Sequence, residues 1–188
     1  VCGVDFSTRS IDYAKRQAAA NDQDIEYRNI NYLDLEEDAH YDLVTMIYCD
    51  YCALSPAQRK QLLSKIHAAL KAGGAFFFDV CSMAAFSARE EGSELAPQLM
   101  DGFWAPGAYI GIRQTWKYDD EQVVLDQYDI LQEDNHFQIY NWLQYFDLET
   151  LKAELESAGF VLADTYADVA GTPLSDAIDT FAVTAVKY

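Results

Sequence analysis

VCGVDFSTRSIDYAKRQA, residues 1–18, is the stretch from which the rest of the chain is read. A short apolar run ends on Asp5, and Ser7 then stands where a helix cap belongs. Behind it Ile11, Ala14 and Ala18 recur on one helical face. A strand, an acid at its end and a capped helix begin an α/β pattern. In such sheets ligands bind outside the carboxyl ends of the strands, which is where Asp5 stands. The plainer reading of Asp5 is a negative charge before a helix, favourable by about 0.3–1 kcal/mol.

Outward from there, the first eighty residues alternate. Asp24 to Asn29 alternates around Ile25 and Tyr27 and predicts a strand. Asp42 to Tyr48, DLVTMIY, is nearly all apolar, as expected of a strand buried on both faces. Ser55-Pro56 starts a helix, Leu62, Leu63, Ile66 and Leu70 form its buried stripe, and Gly73-Gly74 is expected to stop it. AFFFDV, 75–80, is the next buried strand. This order predicts a parallel sheet with helices on both faces.

After Val80 the rhythm changes. Residues 83–104 read as helical, then irregular around Gly102 and Pro106. Tyr109–Tyr118, Gln122–Gln132 and His136–Tyr145 read as three antiparallel strands with DDEQ and QEDNH as turns. Asp147 caps a helix with Leu148, Leu151 and Leu155 inward, and Gly159 ends it. Phe160–Asp168 and Asp179–Lys187 close the chain as strands. The expected organisation is one domain over 1–188 with a cap inserted at 83–146.

Composition narrows the function classes. Of 188 residues 51% are hydrophobic and 14% aromatic, which argues against disorder. No apolar run reaches the roughly 18 residues of a membrane span, and no secretory signal pattern is visible. A net charge of −18 opposes docking on nucleic acid and attracts small cations, though most of these acids serve to solvate the surface. Cys49 and Cys52 form a CxxC, but a structural zinc site wants four ligands. Cys2, Cys49, Cys52 and Cys81 therefore read as buried or strand-end thiols, with no metal expected. Reduced thiols without a signal fit the cytoplasm.

Four stretches carry a family resemblance: GVDFS followed by a helix with YAK; YDLV entering a buried strand; LLSKIHAALKAGGAFFFDV; and YFDLETLKAELESAGF before a final strand pair. In this order they resemble a class I S-adenosylmethionine-dependent methyltransferase from its second strand onward. The resemblance implies sheet order 3-2-1-4-5-7-6 with an antiparallel last strand. It also implies an excursion after the fifth strand that covers the substrate, here FWAPGAYIGIRQTW through YNWLQYF. The family's glycine-rich loop after its first strand has no counterpart here. The expectation is a Rossmann-like fold, N-terminally incomplete, from a longer protein, whose 188 residues alone bind cofactor weakly.

The same resemblance assigns residues. Asp5 takes the place of the acid that accepts hydrogen bonds from the ribose hydroxyls, and Phe6 lies against the adenine face or else in the core. Asn31 stands where the adenine amino group is received, with the Tyr32 backbone N–H beside it. Asp34 is the alternative acceptor, and the plainer reading of Asn31 and Asp34 is that they shape a turn. Tyr48, Cys49 and Asp50 are expected beside the methionine part. An aromatic face at Tyr48 attracts a sulfonium by roughly 0.5–2 kcal/mol. Asp50 is the candidate catalytic residue, a carboxylate for substrate contact or proton removal, or else a solvated loop acid.

Trp104, Tyr109, Trp116, Tyr140, Trp142 and Tyr145 suit a small-molecule pocket or, equally, the core of the cap. Alternation puts Tyr140, Trp142 and Gln144 on one face, and Asn141, Leu143 and Tyr145 on the other. Of the histidines, His67 reads as structural, and His40 and His136 form no catalytic pair. The leading expectation is methyl transfer from S-adenosylmethionine to a small molecule, without nucleic acid or membrane as partner; oligomeric state is not legible. The rivals are a nicotinamide-dependent Rossmann enzyme, which also wants a glycine-rich loop absent here, and a non-catalytic binding or assembly module.

Overall fold

The computed structural model describes residues 1–175 and 178–188. Strand β1 (Cys2–Asp5) runs parallel to β2 (Glu26–Asn29), with Asp5 opposite Asn29. Helix α1 (Thr8–Ala20) connects them and packs on both. Ser7 caps it by accepting the Ser10 N–H at 3.2 Å, and Ile11 and Ala18 are its buried residues.

A second sheet holds β3 (Tyr41–Met46), β4 (Leu70–Cys81), β9 (Phe160–Tyr166) and β10 (Thr180–Lys187) in the order β3-β4-β10-β9. β3 and β4 are parallel, and β10 is antiparallel to both its neighbours. Read together, β2-β1 and β3-β4-β10-β9 follow the order implied by the resemblance. The break between β1 and β3, which belong to separate sheets, falls where that order places the family's first strand.

Helices α2 (Pro56–Ala69) and α4 (Leu148–Ser157) cover the second sheet. Leu62, Leu63 and Ile66 of α2 and Leu151 and Leu155 of α4 are buried against Phe76, Phe78, Val80 and Phe160. Phe76 and Phe78 share one face of β4, with ring centroids 4.3 Å apart. One buried polar group ties the helices together. Arg59 Nε donates to Glu154 Oε1 at 2.8 Å and Nη1 to the Leu54 carbonyl at 2.7 Å, while the Tyr51 hydroxyl donates to the same Glu154 oxygen at 3.0 Å.

Three sequence expectations are corrected. β3 is not buried on both faces: Val44 and Met46 pack on the core, but Leu43, Thr45 and Ile47 are exposed, Leu43 by 56%. α1 packs on β1 and β2, and the break leaves this side of β3 uncovered. Helix α2 ends before the glycines, because Leu70 turns extended and pairs with Tyr41. Its terminal carbonyls are met instead by Lys187 Nζ, 2.6 Å from His67 O and 2.7 Å from Leu70 O.

Residues 83–104 are helical only over α3 (Met83–Ala88). Gly92–Pro97 forms β5, a strand at the edge of the cap sheet β5-β6-β7-β8, with β6 at Ile110–Tyr118, β7 at Val123–Leu131 and β8 at His136–Gln144. Pro97 suits a strand end and not a helix interior. The excursion leaves and rejoins the sheet at one point: Phe146 N–H donates to Cys81 O at 2.9 Å, and Ser82 bridges Phe146. Inside the cap, buried Asp126 accepts from Thr115 Oγ1 and Arg89 Nη2, each at 2.6 Å.

Phe78 is fully buried where α2, β4 and the Tyr51 ring meet. Phe78→Ala is expected to lower unfolding stability by about 3–5 kcal/mol, read as a reduced urea midpoint.

Candidate active site

The break between the two sheets opens at the carboxyl ends of β1 and β3. Asp5 ends β1. Its Oδ1 accepts the Ser7 N–H at 2.7 Å, and its backbone carbonyl accepts Asn29 Nδ2 at 2.9 Å. The second oxygen, Oδ2, makes no hydrogen bond among the described residues. Phe6, next in the chain, is 72% exposed, which removes the reading of a core phenylalanine.

At the end of β3 the backbone turns through two consecutive left-handed residues, Tyr48 (φ 84°) and Cys49 (φ 58°). Neither is glycine, so the turn is strained. Asp79, on β4, holds it: one carboxylate oxygen accepts the N–H of Tyr48 at 2.8 Å and of Cys49 at 3.0 Å. The turn sets Tyr48 out into solvent, 90% exposed, and delivers Asp50 at the head of a short 3-10 turn.

These groups lie close enough to influence one another's charge. Partial burial, and then the negative charges of Asp5 and Asp79, raise the Asp50 carboxyl above its ordinary range. Burial, followed by Asp50 and Asp5, likewise raises the Tyr32 hydroxyl. Asp5, Tyr32 and Asp50 are thus neighbours, although they come from three different segments. Asn31 is engaged in shaping the chain: its Oδ1 accepts the Leu33 N–H at 2.9 Å and caps the turn Tyr32–Asp34. A second lone pair on that oxygen remains for a ligand. Asp34 is exposed.

The cap aromatics do not converge. Tyr109 is buried in one small core beside Leu99 and Ile130, with half-buried Trp104 stacked at a tilt on Tyr128. Tyr145 is buried in another core, with Phe86 and Val124. Trp116 is half-buried, while Tyr140 and Trp142 are exposed on β8. Trp142 and Gln144 share a face, as alternation predicts, and both line a cavity of about 540 Å³. Tyr118, Leu54 and Ser55 complete much of its wall, so the cavity lies between the cap sheet and the loop that follows β3.

Sequence reasoning missed Asp79, which positions this whole edge. The available signal is an acid inside the apolar run FFFDV, since a buried carboxylate requires hydrogen-bond donors. It also missed Tyr118 as a partner of Trp142, with ring centroids 5.7 Å apart. That pairing depends on where β6 and β8 lie in the sheet.

No curated protein matches the chain in sequence. A family model described as "Methyltransferase domain" matches residues 1–74. Among solved structures, an S-adenosylmethionine-dependent methyltransferase from Clostridium acetobutylicum is similar at TM-score 0.75 and 14% identity, over 99% of this chain and 74% of that one. The CcbJ methyltransferase from Streptomyces caelestis is similar at TM-score 0.74 and 16% identity, over 100% and 75%. The sugar N-methyltransferase KedS8 from Streptoalloteichus is similar at TM-score 0.62 and 18% identity, over 99% and 70%. The sequence match to a methyltransferase domain is confined to residues 1–74, and over its whole length the chain shares the fold of these methyltransferases.

Proposed function

We propose that the protein transfers a methyl group from S-adenosylmethionine to a small-molecule acceptor. The observation that carries this reading is the placement of Asp5 at the tip of a parallel strand, with Tyr32 and Asp50 nearby. The residues present fit the cofactor. Asp5 Oδ2 is available to ribose hydroxyls, the exposed Phe6 ring to the adenine, and the acids around Asp50 to a cation. Asn31 fits as an adenine acceptor only through its remaining lone pair.

When bound, the cofactor supplies an electrophilic methyl group on a sulfonium that departs as a neutral thioether. The protein's share is alignment and exclusion of water, which can supply about 7–11 kcal/mol. Asp5 fixes the sugar, and the turn held by Asp79 sets Tyr48 and Cys49 beside the methionine part. Asp50 takes the acceptor's proton where one must leave; a carboxyl raised by its surroundings is a better base than an ordinary one.

The acceptor is assigned to the cavity between Trp142, Tyr118 and the post-β3 loop. Its size and aromatic wall suit a small molecule, and the sugar acceptor of KedS8 supports the same class. The net charge of −18 speaks against nucleic acid. No helix among the described residues is long and apolar enough to cross a membrane. Four free cysteines support a cytoplasmic location.

Thermal-shift titration of these 188 residues is expected to show weak but saturable stabilisation by S-adenosylhomocysteine. Asp5→Ala should weaken that binding by about ten- to a hundredfold, the loss of hydrogen bonds to a charged group. Stabilisation by NADH with none by S-adenosylhomocysteine overturns the proposal in favour of a nicotinamide enzyme.

The raised Asp50 carboxyl has a further consequence. The folded protein holds that proton more tightly than the unfolded chain, so its stabilising contribution is present at low pH and lost as pH rises through the raised value. Asp50→Asn should therefore have a higher Tm than the parent at neutral pH. The difference should shrink to nothing once acid has protonated Asp50 in the parent.

A further inference from the structure

Cys81, at the end of β4, lies against the CxxC of the post-β3 turn. The sulfur atoms of Cys49, Cys52 and Cys81 all lie within 4.8 Å of one another. Cys52 is buried and the other two are half-buried. A carboxylate adjoins them: Asp79 Oδ2 is 3.7 Å from Cys49 Sγ, while its Oδ1 is committed to the turn. We infer that Cys49, Cys52 and Cys81, with Asp79 beside Cys49, form a binding site for one thiophilic cation of the zinc class.

The geometry is close to what such an ion requires. With metal–sulfur bonds of about 2.3 Å, tetrahedral ligation sets sulfur atoms about 3.8 Å apart and a sulfur and an oxygen ligand about 3.5 Å apart. The carboxylate meets that distance to Cys49 alone. The thiols need to close by no more than about 1 Å, within reach of side-chain torsions. The objection from sequence was the missing second cysteine pair. The fold answers it by bringing a third thiol, Cys81, from the neighbouring parallel strand, which leaves the fourth position to water or to a turned Asp79 carboxylate.

Ligation needs thiolates, so binding releases the thiol protons and affinity falls in acid. A net charge of −18 draws cations toward the site. Three donors also distinguish this cluster from a simple redox pair, which needs two. The bound ion would brace the same turn that Asp79 holds, joining the end of β3 to the end of β4. This assignment does not depend on the methyl-transfer reading.

The test is a titration of the reduced, metal-free protein with Cd²⁺, followed by thiolate-to-metal charge-transfer absorption and by competition with Zn²⁺. Expected are saturation at one ion per chain, loss of the signal in Cys49→Ala and Cys81→Ala, and an unchanged signal in Cys2→Ala. Asp79→Asn should weaken Zn²⁺ binding about tenfold or more. A second measurement needs no variant: Zn²⁺ should shield three of the four thiols of the native chain from a thiol reagent, leaving Cys2 reactive. No saturable absorption, a signal that survives Cys49→Ala, or equal reactivity of all four thiols with Zn²⁺ present overturns the inference.

Discussion

The arrangement of the crevice depends on one carboxylate. Asp79 lies at the end of β4, and β3 runs parallel beside it, so both strands finish on the same edge of the sheet. There Asp79 Oδ1 accepts the N–H groups of Tyr48 and Cys49, two residues in left-handed conformation. Strain of about 1–3 kcal/mol at each is matched by two hydrogen bonds to a charged group, worth about 1.5–3 kcal/mol apiece. Neither side dominates, so the turn holds its shape only while the acid is in place. Everything after it inherits that direction: Tyr48 in solvent, Cys49 toward β4, Asp50 toward the crevice, and Tyr51 back into the core.

Rigidity behind the turn comes from a different source. Tyr51 is fully buried, packed on Phe78 and Phe146, and its hydroxyl reaches Glu154 on α4. Arg59 of α2 pairs with the same carboxylate and also donates to the Leu54 carbonyl. A buried ion pair contributes little net stability by itself, because desolvation offsets attraction. Its effect here is positional. It fixes α2, α4 and the post-β3 loop relative to one another, so the strained turn and the cavity wall at Leu54 and Ser55 stand on one support.

How much of this was legible follows from the range of the interactions. The caps at Ser7, Ser55 and Asp147 act within three residues, and each appears where local sequence places it. The three long strands of the cap were readable from their alternation. The end of α2 was not, because Leu70 leaves the helix to pair with Tyr41 and Lys187 supplies the missing donors from the far end of the chain. β5 was not, since an exposed edge strand buries little and shows no strong period. The exposure of Leu43 could not be read from an apolar run, which reports what a strand could bury and not what lies beside it. Asp5 was readable by strand-end logic, whereas Asp79 and Cys81 acquire meaning only once β3 and β4 are neighbours.

The acids of the crevice are unfavourable to one another, and this bears on chemistry. Asp5, Asp50 and Asp79 meet at the carboxyl ends of strands, and the rise of Asp50 records their mutual repulsion together with desolvation. A cation entering the crevice relieves that repulsion; a neutral ligand of the same shape does not. On the methyl-transfer reading the incoming cofactor carries a positive sulfonium and the outgoing thioether carries none. The crevice then favours the charged reactant over its spent form, which assists product release. The same attraction works against the chemical step, because it stabilises the ground state as sulfur loses its charge. A carboxyl that ionises reluctantly limits that penalty. Asp79 adds to the rise of Asp50 behind burial and Asp5, so one buried acid both holds the path of the backbone and bears on the charge that follows it.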